Sequence, residues 1–172
     1  MIFPNRKAIR PGTTRRVRQR GYNYSAAGYY FVTICTHERH SYFGVIENGE
    51  MTQSPAGAMV HDAIASIPDF HANTTIDAFV VMPNHVHILI GLAVRIEDIA
   101  DETNLIDIVQ WLKTTTHRRF GDGVKRLGWK PYSGKVWQSS FHDHIVRNER
   151  ELGILRDYVA NNVYRWGEDE FY

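Results

Sequence analysis

The stretch that decides the fold is Val80-Val81-Met82-Pro83-Asn84-His85-Val86-His87-Ile88-Leu89-Ile90, an apolar run that contains two histidines. Successive side chains of a strand point to opposite faces, so His85 and His87 share one face while Val86 and Ile88 occupy the other. Two imidazoles on one face form half of a metal site, and a pair of hydrogen-bonded structural histidines is the alternative. The apolar flanks favour the metal site, because a buried imidazole needs a polar partner.

The chain of 172 residues is long enough for one domain with its own core, and an apolar fraction of 43% is typical of folded proteins. We divide it into a basic N-terminal arm, residues 1–25, and a single domain, residues 26–172. No segment approaches the roughly 20 apolar residues of a membrane span, and the N-terminus lacks the apolar stretch of a secretory signal. The single cysteine, Cys35, is expected to be a buried thiol, and these features suit a cytoplasmic protein.

The net charge is only +1, but its distribution along the chain is uneven. Residues 1–37 carry seven Lys and Arg side chains and no acid, and a second basic segment, residues 113–135, is interrupted only by Asp122. Both clusters are typical of a surface that binds a polyanion, and a solvated face or a flexible tail is the alternative.

The hydrophobic periodicity predicts an α+β fold. Strands are predicted at 29–36, 44–47, 50–53, 74–82, 84–92 and 136–146, and helices at 54–67, at 104–120 and after the capping residue Asn148. The Asn48-Gly49 dipeptide predicts a hairpin turn, and Gly121 with Gly123 is expected to end the second helix. This order indicates a ferredoxin-like antiparallel sheet with helices packed on one face, plus a C-terminal helix that is a candidate catalytic helix, and the histidine strand should be central.

The last predicted helix carries Tyr158 and Asn162 four residues apart and therefore on one face. The phenol is a candidate nucleophile, and the amide oxygen is a candidate third metal ligand. An ordinary tyrosine is about 0.1% ionised at pH 7, a deficit of about 4 kcal/mol that a metal polarising a phosphate can offset. A half-buried helical tyrosine without chemistry is the alternative. Tyr164 and Tyr172 follow the apolar stripe of the helix and have no amide one turn further on.

Together these motifs resemble the single-tyrosine HUH transposases of the IS200/IS605 kind, and within them the REP-associated tyrosine transposases. The resemblance rests on residues 28–33, 82–87 and 158–162. It implies that His85 and His87 bind Mg²⁺ or Mn²⁺ and that Tyr158 attacks single-stranded or hairpin DNA. The products would be a 5′-phosphotyrosine and a free 3′-OH. Asn162 would complete the metal shell, although many relatives carry Gln there, and the active form would be a monomer or a homodimer.

The resemblance also implies a helix that contacts the DNA backbone near the site, and the basic arm is expected to clasp a hairpin stem. The aromatic residues Tyr22 and Tyr24 of the arm are expected to stack on bases. The residues predicted to contact DNA are Arg16, Arg18, Arg20, Tyr22, Lys113, Thr114, Thr116, Arg118 and Arg119.

Three alternatives remain open from the sequence. A second His-x-His pair, His142 and His144, is a rival metal site, although the charged Asp143 between them departs from the pattern of the first pair. The chain could also be a hairpin DNA- or RNA-binding module without chemistry. Thirdly, it could be a metal hydrolase that activates water, for which Tyr158 would be dispensable.

Overall fold

This computed structural model describes residues 22–93 and 104–168. The strands are β1 (Gly28–Cys35), β2 (Gly44–Glu47), β3 (Glu50–Gln53), β4 (Thr74–Val81), β5 (His85–Leu92) and β6 (His142–Ile145). The helices are α1 (Pro55–Ala65), α2 (Ile67–Phe70), α3 (Leu105–Leu127) and α4 (Glu149–Ala160), with 3₁₀ turns at His37–Arg39 and Val163–Glu168.

Four of the strands form an antiparallel sheet in the order β4-β5-β1-β6. The elements β1-α1-β4-β5-α3-β6 follow the βαββαβ order of ferredoxin-like folds, and the β2-β3 hairpin is inserted between β1 and α1. The predicted α+β class, the antiparallel sheet and the central position of the histidine strand are therefore confirmed.

The two faces of the sheet have separate apolar cores. Side chains such as Val32 and Ile88 point toward α1 and α3 and belong to the larger core. Phe31 and Leu89 point to the opposite face, where they contact the apolar stripe of α4. The C-terminal helix predicted from the sequence therefore covers the face that α1 and α3 leave open.

The sequence signals for the hairpin and for two helix starts are confirmed. Asn48 and Gly49 have φ values of 53° and 78°, the left-handed conformation that a tight hairpin turn requires. The hydroxyl of Ser54 accepts a hydrogen bond from the amide of Gly57 at 3.0 Å, and the side chain of Asn148 caps α4 in the same way.

The predicted end of α3 is wrong, because the helix continues through Gly121 and Gly123 to Leu127. Gly128, with φ at 69°, ends it instead. Gly123 is needed for packing, since a Cβ built there would lie 2.3 Å from the ring of Trp129. The glycine at position 123 allows a close contact inside the helix and does not end it.

The strand predicted at 136–146 is also too long. Trp137 makes a single bridge with Thr36, and regular pairing begins only at His142. The ammonium group of Lys113 donates hydrogen bonds to the carbonyl oxygens of Gln138 and Ser139, at 2.6 and 2.9 Å, so these acceptors are used by a side chain.

The chain joins the core earlier than the predicted arm boundary suggests. Tyr24 is buried, and its hydroxyl donates a hydrogen bond of 2.8 Å to Asp143. Cys35 is buried, as expected. Within the described residues, none of the helices combines the length and the apolar character needed to cross a bilayer.

Candidate active site

His85 and His87 point from β5 to the face that α4 covers. Both are buried, with 0% and 1% of their surface exposed, and their Nε2 atoms lie 3.1 Å apart. Two ligands about 2.1 Å from one octahedral ion are about 3.0 Å apart, so the separation matches neighbouring ligands of a single Mg²⁺ or Mn²⁺. The predicted shared orientation of the two imidazoles is confirmed.

Each imidazole has a polar partner on its other nitrogen. Nδ1 of His85 lies 2.8 Å from Oδ1 of Asn84, an acceptor, so this nitrogen carries the proton and Nε2 keeps a lone pair. Nδ1 of His87 lies 2.8 Å from the hydroxyl of Thr33, its cross-strand neighbour on β1. Partners of this kind fix the tautomer and the ring orientation of metal-binding histidines.

Burial keeps both imidazoles neutral. It lowers the pKa of His87 to about 3. The pKa of His85 is held well below its ordinary value, first by burial and then by electrostatic interactions with His87 and Arg39. Because only a neutral imidazole can bind a metal, the pair is ready to bind one at neutral pH.

Tyr158 reaches this pair from α4. Its hydroxyl oxygen lies 3.4 Å from Nε2 of His87, and its ring makes edge contacts with the rings of His87 and Phe31. Phe31 in turn stacks on His87 with the ring planes 20° apart. The packing of Leu152, Leu155 and Val159 against the sheet sets the position of the helix.

Asn162 lies one turn beyond Tyr158 and is 1% exposed. Its Oδ1 atom is buried without a hydrogen-bond partner, a situation that costs about 1–3 kcal/mol unless something else binds the oxygen. Tyr158 contacts His87, and Trp166 stacks on His85 with the ring centroids 5.9 Å apart. In the sequence, Asn162 lies four residues after Tyr158 and four residues before Trp166.

Two imidazole nitrogens and an amide oxygen together could hold a divalent cation, the oxygen being the donor that suits Mg²⁺ or Mn²⁺ best. Within residues 22–93 and 104–168, no group of three or more His, Cys, Asp or Glu side chains is arranged to hold a metal, so a third protein ligand must be of another type. The buried amide oxygen of Asn162 is of such a type, and its role as a ligand stays a prediction. Mg²⁺ commonly keeps several waters beside few protein ligands.

An ion pair and an imidazole–carboxylate contact hold α4 against the sheet. Arg156 donates two hydrogen bonds to the carboxylate of Asp77, at 2.7 and 2.6 Å, beside a register shift in β4. Nε2 of His144 lies 2.7 Å from Oε1 of Glu151. Burial raises the pKa of Glu151, but the amide of Arg147 and the imidazole of His144 outweigh it, and the pKa is lowered.

The second histidine pair has a different environment. His142 and His144 pair with Thr33 and Phe31 of β1, so they lie on the same face as the first pair, while Asp143 faces the other core. The imidazole of His144 binds Glu151 and so anchors α4 to β6. The 3.1 Å separation of two Nε2 atoms is found for His85 and His87, while His144 contacts a carboxylate.

The residues predicted to contact DNA are scattered. Arg16, Arg18 and Arg20 lie outside the described residues. Tyr22 is half-buried: its ring packs on Tyr24 and its hydroxyl lies 3.2 Å from that of Tyr30. The ring of Tyr22 therefore packs against the larger core. The prediction of base stacking is wrong for Tyr24, which is buried.

Thr116 is wrong as a DNA contact. It is fully buried, its hydroxyl donates to the carbonyl of Leu112, and it accepts a hydrogen bond of 2.8 Å from the indole of Trp137. Lys113 is half-buried and holds the segment before β6.

The remaining predicted contacts on α3 are Thr114, Arg118 and Arg119. Thr114 and Arg118 are exposed and Arg119 is half-buried, and Arg118 lies 3.5 Å from Asp122. Because α3 packs on the face opposite the histidine pair, the expectation that these residues lie near the site is wrong. Their contact with DNA stays a prediction.

Sequence reasoning missed the supporting partners of the site. Thr33 and Asp77 have no local signal, since their roles depend on strand pairing and helix docking. Asn84 could have been found, because a polar residue directly before a buried histidine needs a hydrogen-bond partner.

Comparisons with known protein families and proteins match this chain to transposases. The sequence pattern of the family described as "Transposase IS200 like" matches residues 24–162. An uncharacterized protein of Haemophilus influenzae is 32% identical in an alignment of 169 positions, which covers 92% of this chain and 92% of that one. A protein of the same organism named "Putative REP-associated tyrosine transposase" is 24% identical in an alignment of 93 positions, which covers 52% of this chain and 49% of that one.

A solved structure of a REP-associated tyrosine transposase bound to a REP hairpin has a similar fold. Its TM-score is 0.61 at 19% sequence identity, and the match covers 90% of this chain and 77% of that one. At this identity the similarity concerns the fold.

Proposed function

Because this chain belongs to the IS200-like transposase family, we propose that it cuts and rejoins single-stranded DNA with Tyr158 as the nucleophile. His85, His87 and Asn162 would hold the Mg²⁺ or Mn²⁺ that the reaction needs. The observation that carries the proposal is the distance of 3.4 Å between the phenol oxygen of Tyr158 and Nε2 of His87.

The proposed reaction is an in-line displacement at phosphorus. The phenol of Tyr158 releases its proton to solvent, and its oxygen forms a bond to the phosphorus of the scissile phosphate. The bond from phosphorus to the 3′ oxygen breaks, and this oxygen leaves with the bonding electron pair and takes a proton from water. One DNA end then carries a 5′-phosphotyrosine and the other a free 3′-OH, and attack by a 3′-OH on the phosphotyrosine reverses the step.

A bound divalent cation would supply charge stabilisation at the phosphate and at the leaving oxygen. The chain's own residues hold the reacting groups in place. The edge contacts of the Tyr158 ring with Phe31 and His87 orient the phenol, and Thr33 and Asn84 orient the imidazoles. Preorganisation of this kind can supply a large part of a rate acceleration.

We infer a DNA hairpin as the partner. The solved relative with this fold is bound to a REP hairpin, and two basic segments of this chain are suited to phosphate contacts. Because Tyr158 reaches His87 within the same chain, a monomer would hold all the groups that cleavage requires.

The test is the detection of a covalent protein–DNA product. The protein is incubated with Mn²⁺ and a pool of 3′-labelled hairpin oligonucleotides with single-stranded flanks, and denaturing gels reveal protein that carries the label. We expect Tyr158→Phe to abolish this adduct. Tyr164→Phe is the matched control and should keep it, since Tyr164 is 80% exposed and lies on the 3₁₀ turn after α4.

Mass spectrometry of the DNA-linked peptide identifies the nucleophile. A linked peptide without Tyr158 overturns the assignment. Cleavage by Tyr158→Phe without any adduct would indicate a hydrolase that activates water, and binding without cleavage by the wild type would indicate a module without chemistry.

A further inference from the structure

The indole ring of Trp166 contacts the histidine pair from the turn that follows α4. Trp166 lies on the 3₁₀ turn Val163–Glu168. Its ring stacks on the imidazole of His85, with the ring centroids 5.9 Å apart and the ring planes 26° apart. The ring of Tyr158 contacts His87, the other imidazole of the pair. Two aromatic side chains near the C-terminus, one of them the proposed nucleophile, therefore flank the proposed metal site.

The side chains that contact the histidine pair differ in their exposure to solvent. Three that support the pair from the sheet and from the turn before β5 are buried, namely Phe31, Thr33 and Asn84. Tyr158 and Trp166 are partly exposed instead. A DNA strand that reaches the phenol of Tyr158 can therefore approach on the side where these two aromatic residues are exposed.

The turn that carries Trp166 is held in place by contacts with two other elements. The amide of Arg165 donates a hydrogen bond of 3.1 Å to the carbonyl oxygen of Asn162, which ties the turn to the end of α4. The ring of Tyr164 lies against the β2-β3 hairpin, 3.4 Å from the position that a Cβ on Gly49 would take. A ring that is already positioned loses little conformational freedom when a ligand binds, and this favours binding.

A positioned, partly exposed aromatic ring beside a reacting centre is suited to stack on a nucleobase, because every base has a π face. We propose that Trp166 forms a stacking subsite for the unpaired nucleobase next to the scissile phosphate of single-stranded DNA. This inference rests on the proposed function, in which Tyr158 attacks that phosphate. Trp166 contacts one imidazole of the pair and Tyr158 contacts the other, so the base within reach of the indole is one beside the cut. Stacking tolerates any base, so this subsite holds the strand and leaves sequence choice to other contacts.

The test separates stacking on DNA from packing on His85. Trp166→Leu keeps an apolar side chain against the imidazole but has no π face, whereas Trp166→Phe keeps a smaller aromatic face. An abasic residue in the DNA removes the stacking partner and leaves the protein unchanged. Because the effects of two groups in contact are not additive, combining the protein change with the DNA change isolates the stacking contact.

The measurement is the affinity for a hairpin oligonucleotide on which the wild-type cleavage position has been mapped. The oligonucleotide is prepared intact and with one abasic residue on the 5′ or on the 3′ side of the scissile phosphate. Fluorescence anisotropy in EDTA reports binding without cleavage and without a metal. On the intact strand we expect Trp166→Leu to raise the Kd about tenfold, and Trp166→Phe to raise it less.

At one of the two abasic positions we expect the wild type, Trp166→Leu and Trp166→Phe to bind with similar affinity, since the base that Trp166 contacts has been removed. The matched control is Phe70→Leu. Phe70 is 56% exposed and stacks on Trp111 of α3, which packs on the sheet face opposite the histidine pair. This variant should bind every strand as the wild type does. Unfolding by urea checks that each variant is folded.

Equal losses of affinity by Trp166→Leu on the intact strand and on both abasic strands would overturn the inference, since the indole would then act through the fold or through His85. Wild-type affinity of Trp166→Leu for the intact strand would also overturn it. Failure of the wild type to form any tyrosine adduct is a different result, and it would refute the proposed function itself.

Discussion

The phenol oxygen of Tyr158 lies 3.4 Å from Nε2 of His87, although 71 positions separate the two residues in the chain. The contact joins the last helix to a central strand of the sheet, and it exists because α4 packs its apolar stripe on Phe31 and Leu89. Any change that moves α4 relative to β5 should therefore change the chemistry before it changes the stability of the fold.

The two histidine pairs should differ in their effect on the metal. We expect His85→Ala to abolish Mn²⁺ binding and DNA cleavage, because it removes one of two neighbouring ligands 3.1 Å apart. His142→Ala should only weaken cleavage and should keep Mn²⁺ binding. Titration calorimetry with Mn²⁺ and a cleavage assay measure the two effects, and the reverse pattern would move the metal to the second pair.

The ion pair between Asp77 and Arg156 should position the nucleophile. We expect Asp77→Asn to slow adduct formation about tenfold at saturating DNA, while Mn²⁺ affinity is unchanged, since a displaced α4 carries Tyr158 away from the phosphate. The double exchange Asp77→Arg with Arg156→Asp should restore part of the rate. Asp157→Asn, an exposed change on the same helix, is the control. An equal loss of rate in this control would contradict a specific role for the pair.

Acid should destabilise the metal-free protein through the buried histidines. The folded state keeps both imidazoles neutral, whereas in the unfolded chain they bind protons below the ordinary pKa of 6.5. The two neutral imidazoles therefore contribute fully to the free energy of unfolding above the ordinary pKa of 6.5. This contribution is lost as the pH drops from 6.5 toward about 3, the pKa of His87 in the fold. The loss amounts to at most about 1.4 kcal/mol per pH unit for each histidine.

Urea unfolding between pH 4 and 8 measures this slope. His87→Gln should show a shallower dependence than the wild type, because it removes one of the two groups. A variant with the full wild-type slope would contradict the assignment of the acid sensitivity to this pair.

Two glycines of α3 should respond in opposite ways to alanine. Gly123→Ala should lower the free energy of unfolding by about 1–3 kcal/mol, because the new Cβ would lie 2.3 Å from the Trp129 ring. Gly121→Ala should raise it by up to about 1 kcal/mol, because its Cβ meets only the Tyr132 hydroxyl at 3.7 Å and alanine favours a helix. Thermal unfolding measures both changes, and a stabilised Gly123→Ala variant would contradict the packing of Trp129.

Much of the fold follows from local patterns in the chain. The Asn48-Gly49 turn, the caps Ser54 and Asn148 and the apolar strand around His85 each carry a local signal, and each is found where the sequence places it. The end of α3 could not be predicted locally, because glycine can either end a helix or allow another side chain to pack closely against it. At Gly123 the Trp129 ring, which packs where a Cβ would lie, shows that the glycine serves packing.

The sequence by itself determined that His85 and His87 share a face, since the alternation of a strand is a property of its backbone. It also placed Asn162 four residues after Tyr158, but the prediction that both lie on one helix is wrong, because α4 ends at Ala160 and Asn162 lies in the turn that follows. Only the tertiary structure decided that α4 crosses the sheet on the histidine face, that α3 with its arginines lies on the other, and that Thr33 supports His87. These relationships depend on long-range packing, where the burial of apolar surface selects one arrangement among several that the local signals allow equally.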